Sequence, residues 1–320
     1  MRLGVSLAQV GRLADPASVR SAAVAAEQVG YSSIWVHDRL LAPVEPRTPS
    51  GDVPGAGLPP GCADGLDPVA VLTYAAAVTS RVRLGTSVLV APWYRPAMLA
   101  RSLASLDVLS EGRLTVGLGL GWSLDEYEAV GVPQRELGRR LEEALDVLGA
   151  VWRPDPVAYE GRTLRIAPAS MGPKPVQVPG PPVLLAAYTR EGLDRVARRA
   201  DGWNPAGLPV AMLAPMWATV RDLAAGHGRD PDALELVVRA NVALTDRPVD
   251  GADRPSYHGT VDQVAADIES TRQAGAHEMI LGLTGDHCLN EALELYARVA
   301  EAVEAAEEIP TPPVLTDTPG

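Results

Sequence analysis

The sequence predicts an α/β fold, a (β/α)8 TIM barrel, on three observations. Strand-like and helix-like segments alternate through nearly the whole chain, which implies right-handed crossovers and a parallel sheet. The alternation yields eight strand segments in 320 residues, a length that one α/β barrel routinely covers. No G-x-G-x-x-G turn opens a helix directly after the first strand, which removes the main signal for an open dinucleotide-binding sheet.

Residues Arg2 to Leu7 alternate as a strand does. Asp15-Pro16 then supplies an N-cap and a first-turn proline for the Ala-rich helix Val19 to Val29, which Gly30 closes. The run Ser33 to Val36 is too short for a helix and ends abruptly in the polar triplet His37-Asp38-Arg39. Pro43 to Asp67 is rich in Gly and Pro with little periodicity, and a loop this long inside a domain reads as a lid or binding loop. Asp67-Pro68 caps the helix Val69 to Thr79, and Val82 to Val90 is a nearly continuous apolar strand suited to burial on both faces. Pro96 opens a helix to Leu109. Gly112 starts the strand Arg113 to Leu120, which ends in Gly121-Trp122-Ser123. Helical segments follow through Asp125-Glu126-Tyr127 and from Arg135 to Trp152.

Tyr159 to Thr163 reads as a hairpin turn, and the Pro-rich stretch Pro168 to Pro182 as an extended connection into the strand Val183 to Ala187. The pattern then resumes: helix Glu191 to Arg199, strand Gly202 to Asn204, helix Val210 to Ala225, strand Leu234 to Leu244. Helix Val261 to Ala274, strand Glu278 to Leu283 and helix Asn290 to Glu307 complete it. Thr260 with Gln263 forms a capping box. The expected organisation is one barrel domain over 1–309, with insertions after strands 2 and 4, and a frayed tail over 310–320.

Apolar residues make up 47% of the chain and charged residues 21%, so a large core can be buried. Lys plus Arg total 28 against 40 Asp plus Glu, a formal charge of -12, which argues against general affinity for nucleic acid or anionic membrane. No apolar run reaches the roughly 18 residues that cross a bilayer, and the first residues lack a signal-peptide core, so a cytoplasmic protein is expected. Two cysteines, Cys62 and Cys288, make neither a disulfide framework nor a thiolate cluster. His37, His227, His258, His277 and His287 show no metal-binding spacing, and no G-x-S-x-G elbow appears. No metal site is expected, and no covalent nucleophile is visible.

A barrel places its active site at the C-terminal ends of its strands. The positions to weigh are therefore His37 to Arg39, Thr86 to Leu89, Gly119 to Ser123, Ala186 to Thr189, Trp203 to Asn204 and Leu283 to Asp286. Alternating glycines at Gly117, Gly119 and Gly121 admit close approach of either another backbone or a flat ligand. Trp122 can wall a pocket or plug a loop. Asp38 at a barrel mouth could accept hydrogen bonds from a heterocycle while His37 or Arg39 donates or shuttles protons; as a solvated strand end the triplet would be unremarkable. With neither metal nor nucleophile in view, cofactor chemistry is the default for a barrel enzyme.

Four blocks sharpen this: Trp35-Val36-His37-Asp38-Arg39-Leu40-Leu41, the run Thr79 to Val88, Leu109-Ser110-Glu111-Gly112-Arg113-Leu114, and Gly117 to Trp122. In order and spacing they resemble successive signature blocks of the luciferase-like monooxygenase superfamily, and the chain is most similar to its F420-dependent oxidoreductase branch. The resemblance continues through Asp125-Glu126-Tyr127, Leu137 to Arg140, Ala200 to Pro205 and His258-Gly259-Thr260, covering nearly the whole chain. It implies a barrel of the bacterial-luciferase-like type that binds F420, or alternatively FMN, in its mouth. Catalytic roles are implied for His37, Asp38 and Arg39, with Asp38 near the polar edge of the ring. A cis peptide at Ser87-Val88 would bulge toward the ring, Gly119, Gly121 and Trp122 would line its side, and Tyr127 joins the cofactor-binding positions. The ribityl phosphate would be held at a helix start by Ala186, Ala187, Tyr188, Thr189 and Arg190. A small-molecule substrate and a homodimer are also implied.

Some residues depart from that pattern. Arg39 stands where relatives frequently carry His, and Arg stays charged and cannot shuttle protons, so pinning an anionic ring or substrate is the role left to it. Arg95 precedes Pro96 where Asn is common, and Ala186-Ala187-Tyr188-Thr189 replaces a Gly-rich phosphate turn. With F420 the expected reaction is hydride transfer to or from a small organic substrate. FMN in the same pocket would instead give a monooxygenase using dioxygen, and a third reading is a non-catalytic flavin-binding barrel.

Overall fold

A computed structural model describes residues 1–7, 9–47, 65–251 and 254–283, with positions 294, 297–299 and 301. Most of the Pro43 to Asp67 loop, both cysteines, the strand-end positions 284–286, most of the helix expected at Asn290 to Glu307 and the tail lie outside the described residues. The described residues form twelve strands: β1 (Arg2–Ser6), β2 (Ser33–Val36), β3 (Arg83–Thr86), β4 (Leu89–Val90), β5 (Leu114–Gly119), β6 (Val157–Glu160), β7 (Arg165–Ala169), β8 (Val183–Leu185), β9 (Gly202–Trp203), β10 (Glu235–Leu244), β11 (His258–Gly259) and β12 (Glu278–Leu283). The helices are α1 (Pro16–Val29), α2 (Pro68–Val78), α3 (Pro96–Leu109), α4 (Leu124–Ala129), α5 (Leu137–Trp152), α6 (Arg190–Arg199), α7 (Val210–Gly226) and α8 (Val261–Gln273).

Eight of these strands close a parallel barrel in the order β1, β2, β3, β5, β8, β9, β10, β12, with β12 returning to β1. Register is continuous around the ring: Ile34 faces Leu84, Leu84 faces Leu114, and Gly4 faces Ile280 across the closing pair. Residues of β2 and β5 are buried throughout, as expected for strands covered by helices outside and packed side chains inside. The first insertion enters after β2, and the antiparallel pair β6–β7 forms the second, between α5 and β8.

Local chemistry sets the helix starts. Asp15 accepts from the amides of Ala17 and Ser18 with Pro16 in the first turn, and Asp67 accepts from Ala70 with Pro68 beside it. Thr260 and Gln263 form the reciprocal capping box at α8, and Gly30 ends α1 at φ 102°, a conformation that suits glycine.

The barrel floor is polar and closed. Trp35, Leu184, Val237 and Ile280 pack together inside the ring, each at most 2% exposed. The Trp35 indole donates to Ser33 Oγ at 2.6 Å and to Glu278 Oε1 at 3.2 Å. Ser33 also bonds Glu278, which Arg2 meets at 3.1 Å while reaching Glu235 at 2.9 Å. An ion-paired, hydrogen-bonded floor leaves the opposite, C-terminal end of the strands for chemistry.

One expectation needs correction. The apolar run Val82 to Val90 is not a single strand: β3 stops at Thr86 and β4 resumes at Leu89, with a cis peptide bond between Ser87 and Val88. The break is built into the neighbouring strand. Thr86 Oγ1 donates to the Gly117 carbonyl and accepts from its amide, both at 2.8 Å, while the Thr86 carbonyl fills the space where a Cβ on Gly117 would stand. An apolar pattern cannot reveal this, because both halves of the run are buried.

Candidate active site

The polar triplet after β2 is held in place from three directions. Gln9 brackets the backbone of His37, accepting from its amide and donating to its carbonyl, each at 2.7 Å. The Asp38 amide donates to the Val88 carbonyl at 3.2 Å, tying β2 to the bulge beside it. Arg39 lies over the Trp122 indole, 4.4 Å from its centroid, and its Nη1 is 3.3 Å from Glu126 Oε2. Glu126 in turn accepts from the amides of Leu40 at 2.9 Å and Leu41 at 3.4 Å. It is placed by α4, whose N-cap Ser123 accepts from the Glu126 amide. The next residue back, Asp125, holds Arg47 through its amide and Nε.

These environments divide the triplet by charge. Burial, reinforced by the nearby charges of Arg239 and Arg39, pushes the His37 imidazole down to about 3, so it stays neutral. Arg39 is always charged and sits between an aromatic face and a buried carboxylate. Burial pushes the Asp38 carboxyl up to about 6, against the pull of two hydrogen bonds: Oδ2 accepts from the Val90 amide at 3.0 Å and the Tyr94 hydroxyl at 2.8 Å. The carboxylates of Asp67 and Glu126 push in the same upward direction as burial. Of the three expected catalytic residues, Asp38 alone changes charge near neutral pH.

Around them, the barrel mouth presents polar atoms without partners among the described residues: buried His37 Nδ1, Ser87 Oγ and Asn204 Oδ1, after β2, β3 and β9 respectively. Arg239 on β10 donates from Nη1 to the Ser87 carbonyl at 2.7 Å. Buried polar groups in water-poor surroundings are normally satisfied, so atoms left open at strand ends indicate a place for a polar ligand.

The glycine run is explained by packing. A Cβ on Gly119 would meet Val88 Cγ2 at 2.6 Å, and one on Gly121 would meet Val90 Cγ1 at 2.8 Å at a φ of 77°. Gly117, Gly119 and Gly121 therefore admit the bulged third strand. Tyr127 lies against this turn, its ring 3.3 Å from where a Cβ on Gly121 would stand; it is 4% exposed and packed with Val132 and Leu137, and burial raises its hydroxyl to about 12.

The segment expected to hold a phosphate has other partners. Ala187 is buried against Gly192, Thr189 Oγ1 caps the Gly192 amide at 3.2 Å, and the Tyr188 hydroxyl exchanges hydrogen bonds with Ala206 at 3.1 Å. Ala186 faces Gly119 from β8's end. Arg190 lines a groove of about 330 Å³ between α6 and α7, with Asp194, Asp222 and His227. Thus His37, Asp38, Arg39, Ser87, Val88 and Trp122 converge at one place, Tyr127 abuts the neighbouring turn at Gly121, and Arg190 lines the groove between α6 and α7. Tyr94, Arg239, Gln9 and the clamp made by Glu126 were not singled out from sequence, where nothing but the fold joins them to the triplet. Among the described residues, no cluster of His, Cys, Asp or Glu could hold a metal ion, and no helix is long and apolar enough to cross a membrane.

A closed parallel barrel whose third strand bulges at its mouth beside an Asp-bearing second strand defines a class, and the sequence matches it directly. Residues 1–254 match the luciferase-like monooxygenase family, and the chain belongs to that family. Among its relatives, the uncharacterised protein Rv0953c of Mycobacterium tuberculosis is 35% identical over 246 residues, covering 75% of this chain and 84% of that one. An F420-dependent glucose-6-phosphate dehydrogenase from Kineococcus radiotolerans is 34% identical over 194 residues, covering 59% of this chain and 52% of that one. The crystal structure of the monooxygenase RslO1 from Streptomyces bottropensis superposes with a TM-score of 0.79 at 24% identity, covering 96% of this chain and all of that one. At that identity the likeness is one of fold.

Proposed function

We propose that this protein is an F420-dependent oxidoreductase that transfers a hydride to or from a small organic substrate in the barrel mouth, with Asp38 exchanging the accompanying proton. One observation carries the proton assignment. Asp38 Oδ2 is occupied by the Val90 and Tyr94 donors, whereas Oδ1 accepts nothing from the described residues, so a carboxyl that ionises near neutrality keeps one oxygen open. His37 is held neutral and Arg39 held charged, which leaves neither able to take that role.

The unpartnered His37 Nδ1, Ser87 Oγ and Asn204 Oδ1 fit the polar atoms of a flavin or deazaflavin ring, and Arg239 supplies positive charge beside them. F420, when bound, supplies or accepts a hydride at a ring carbon. The chain's own contribution is to orient that ring against Ser87 and Val88, to keep His37 uncharged and to move a proton at Asp38 Oδ1. In the oxidising direction Asp38 acts as its carboxylate and takes a proton; in the reducing direction its acid form gives one up. The F420-dependent relative from Kineococcus radiotolerans supports F420 over FMN.

Expressing the chain, recording the chromophore that co-purifies and titrating F420 and FMN with turnover as the readout tests this. Hydride transfer with F420 supports the proposal. Turnover with FMN and dioxygen alone would make the protein an oxygenase, and tight binding of either without turnover would make it a flavin-storing barrel. We further propose a homodimer: the neighbouring helices α2 and α3 leave Tyr74, Met98 and Leu109 exposed, and sedimentation velocity measurements of the mass in solution decide it.

A further inference from the structure

We infer that Tyr94 is a positioning residue for the proton step: with the Val90 amide it occupies Asp38 Oδ2, so that the exchanged proton is carried on Oδ1. This deepens the proposed function and rests on its assignment of Asp38. The geometry is asymmetric. Both donors, the Tyr94 hydroxyl at 2.8 Å and the Val90 amide at 3.0 Å, converge on the same carboxylate oxygen. An oxygen that already accepts two hydrogen bonds is the poorer proton acceptor, so the proton goes to its twin.

Tyr94 is placed for the task by its local chain. It follows a short 3-10 turn, Ala91–Trp93, closing back on the Ala91 carbonyl through its amide at 3.2 Å, and α3 begins at Pro96 two residues later. Pro92 and Pro96 restrict the backbone on both sides, and the bond to Asp38 holds the phenol itself. Its own ionisation is pushed far upward by burial and by the Asp38 charge, so the hydroxyl always donates and never competes for the proton.

Among the described residues, the other charged groups acting on Asp38 are Asp67 at the start of α2 and Glu126 on α4, and its chain neighbours are His37 and Arg39. The two carboxylates favour the neutral acid, His37 carries no charge, and Arg39 is drawn off by Glu126. Tyr94 and Val90 are thus the groups that favour the ionised form by hydrogen bonding, and removing the hydroxyl shifts the balance toward the acid.

The test uses the full chain labelled with 13Cγ-aspartate, with the Asp38 signal assigned by Asp38→Asn. Tyr94→Phe, checked for folding by circular dichroism, should raise the Asp38 midpoint by about one unit, tenfold less carboxylate at a pH below the midpoint. An unmoved or lowered midpoint in the folded variant overturns the inference, since a purely structural tyrosine would change melting and leave the titration alone. With F420 and a substrate that turns over, the acid limb of kcat/KM should move by the same amount. A titration that moves while the limb stays fixed refutes the role in the proton step. Absence of turnover with F420 or FMN would instead remove the proposed function, while the carbon signal still decides whether Tyr94 sets Asp38.

Discussion

Arg239 reaches across the barrel from β10 and donates from Nη1 to the Ser87 carbonyl at 2.7 Å, so the seventh barrel strand braces the bulge of the third. The two residues are 152 positions apart, and their contact links the strand-end charge to the segment on which a ring would rest. Arg239 also helps hold His37 neutral, second only to burial. Replacing it by Met should raise the His37 titration midpoint above its value of about 3 and weaken F420 binding about tenfold or more. Histidine-selective NMR and a binding titration check both; an unshifted His37 would show that burial and Arg39 set its charge without Arg239.

Asp38 carries a stability cost that its removal should relieve. Its folded carboxyl sits near 6, above the ordinary 3.8, so the folded state holds the proton more tightly than the unfolded chain. Stability therefore declines as pH rises from about 4 to about 6, and the loss is fully present above that. Asp38→Asn should be more stable than the wild type at pH 8 by on the order of 2 kcal/mol and show a smaller difference near pH 4. Urea unfolding at the two pH values measures this. The same variant should lose between about a hundredfold and ten-thousandfold in kcat. Substrate oxidation by the wild type should fall below pH about 6, where Asp38 is protonated.

Glu126 clamps Arg39 and the amides of Leu40 and Leu41, and its side chain is 1% exposed. Glu126→Leu should cost about 3–5 kcal/mol, because it leaves a cation and two amides without their carboxylate. Arg39→Met in the same chain should recover part of that loss. A double-mutant cycle with strictly additive costs would mean that the ion pair contributes nothing.

Gly119 makes room for Val88. Gly119→Ala should destabilise by about 1–3 kcal/mol through overpacking, and Val88→Ala in the same chain should recover most of it. Thermal melts of the two single variants and the pair decide this. Failure of the second change to compensate would place the conflict elsewhere.

Much of the frame was legible because its signals are local. Asp15, Asp67 and Thr260 announce their helices within three residues, and the return of polarity at His37 marks a strand end. The site was legible only in part. Tyr94 lies 56 positions from Asp38 and Gln9 lies 28 from His37, distances that only the closed ring spans. The glycine run allowed both a packing and a ligand reading, and the Thr86 and Val88 contacts show the packing one. Arg190 stands at a helix start in the sequence, and that it lines a groove with Asp194 and His227 is visible only once α6 and α7 are packed together.

The most direct test is a crystal structure of the chain with F420. The ring should lie against Ser87 and Val88, with Asp38 Oδ1 turned toward the reacting face and Trp122 alongside. A ring bound elsewhere, or a mouth filled by the protein's own side chains, would contradict the assignment of this barrel as a deazaflavin enzyme.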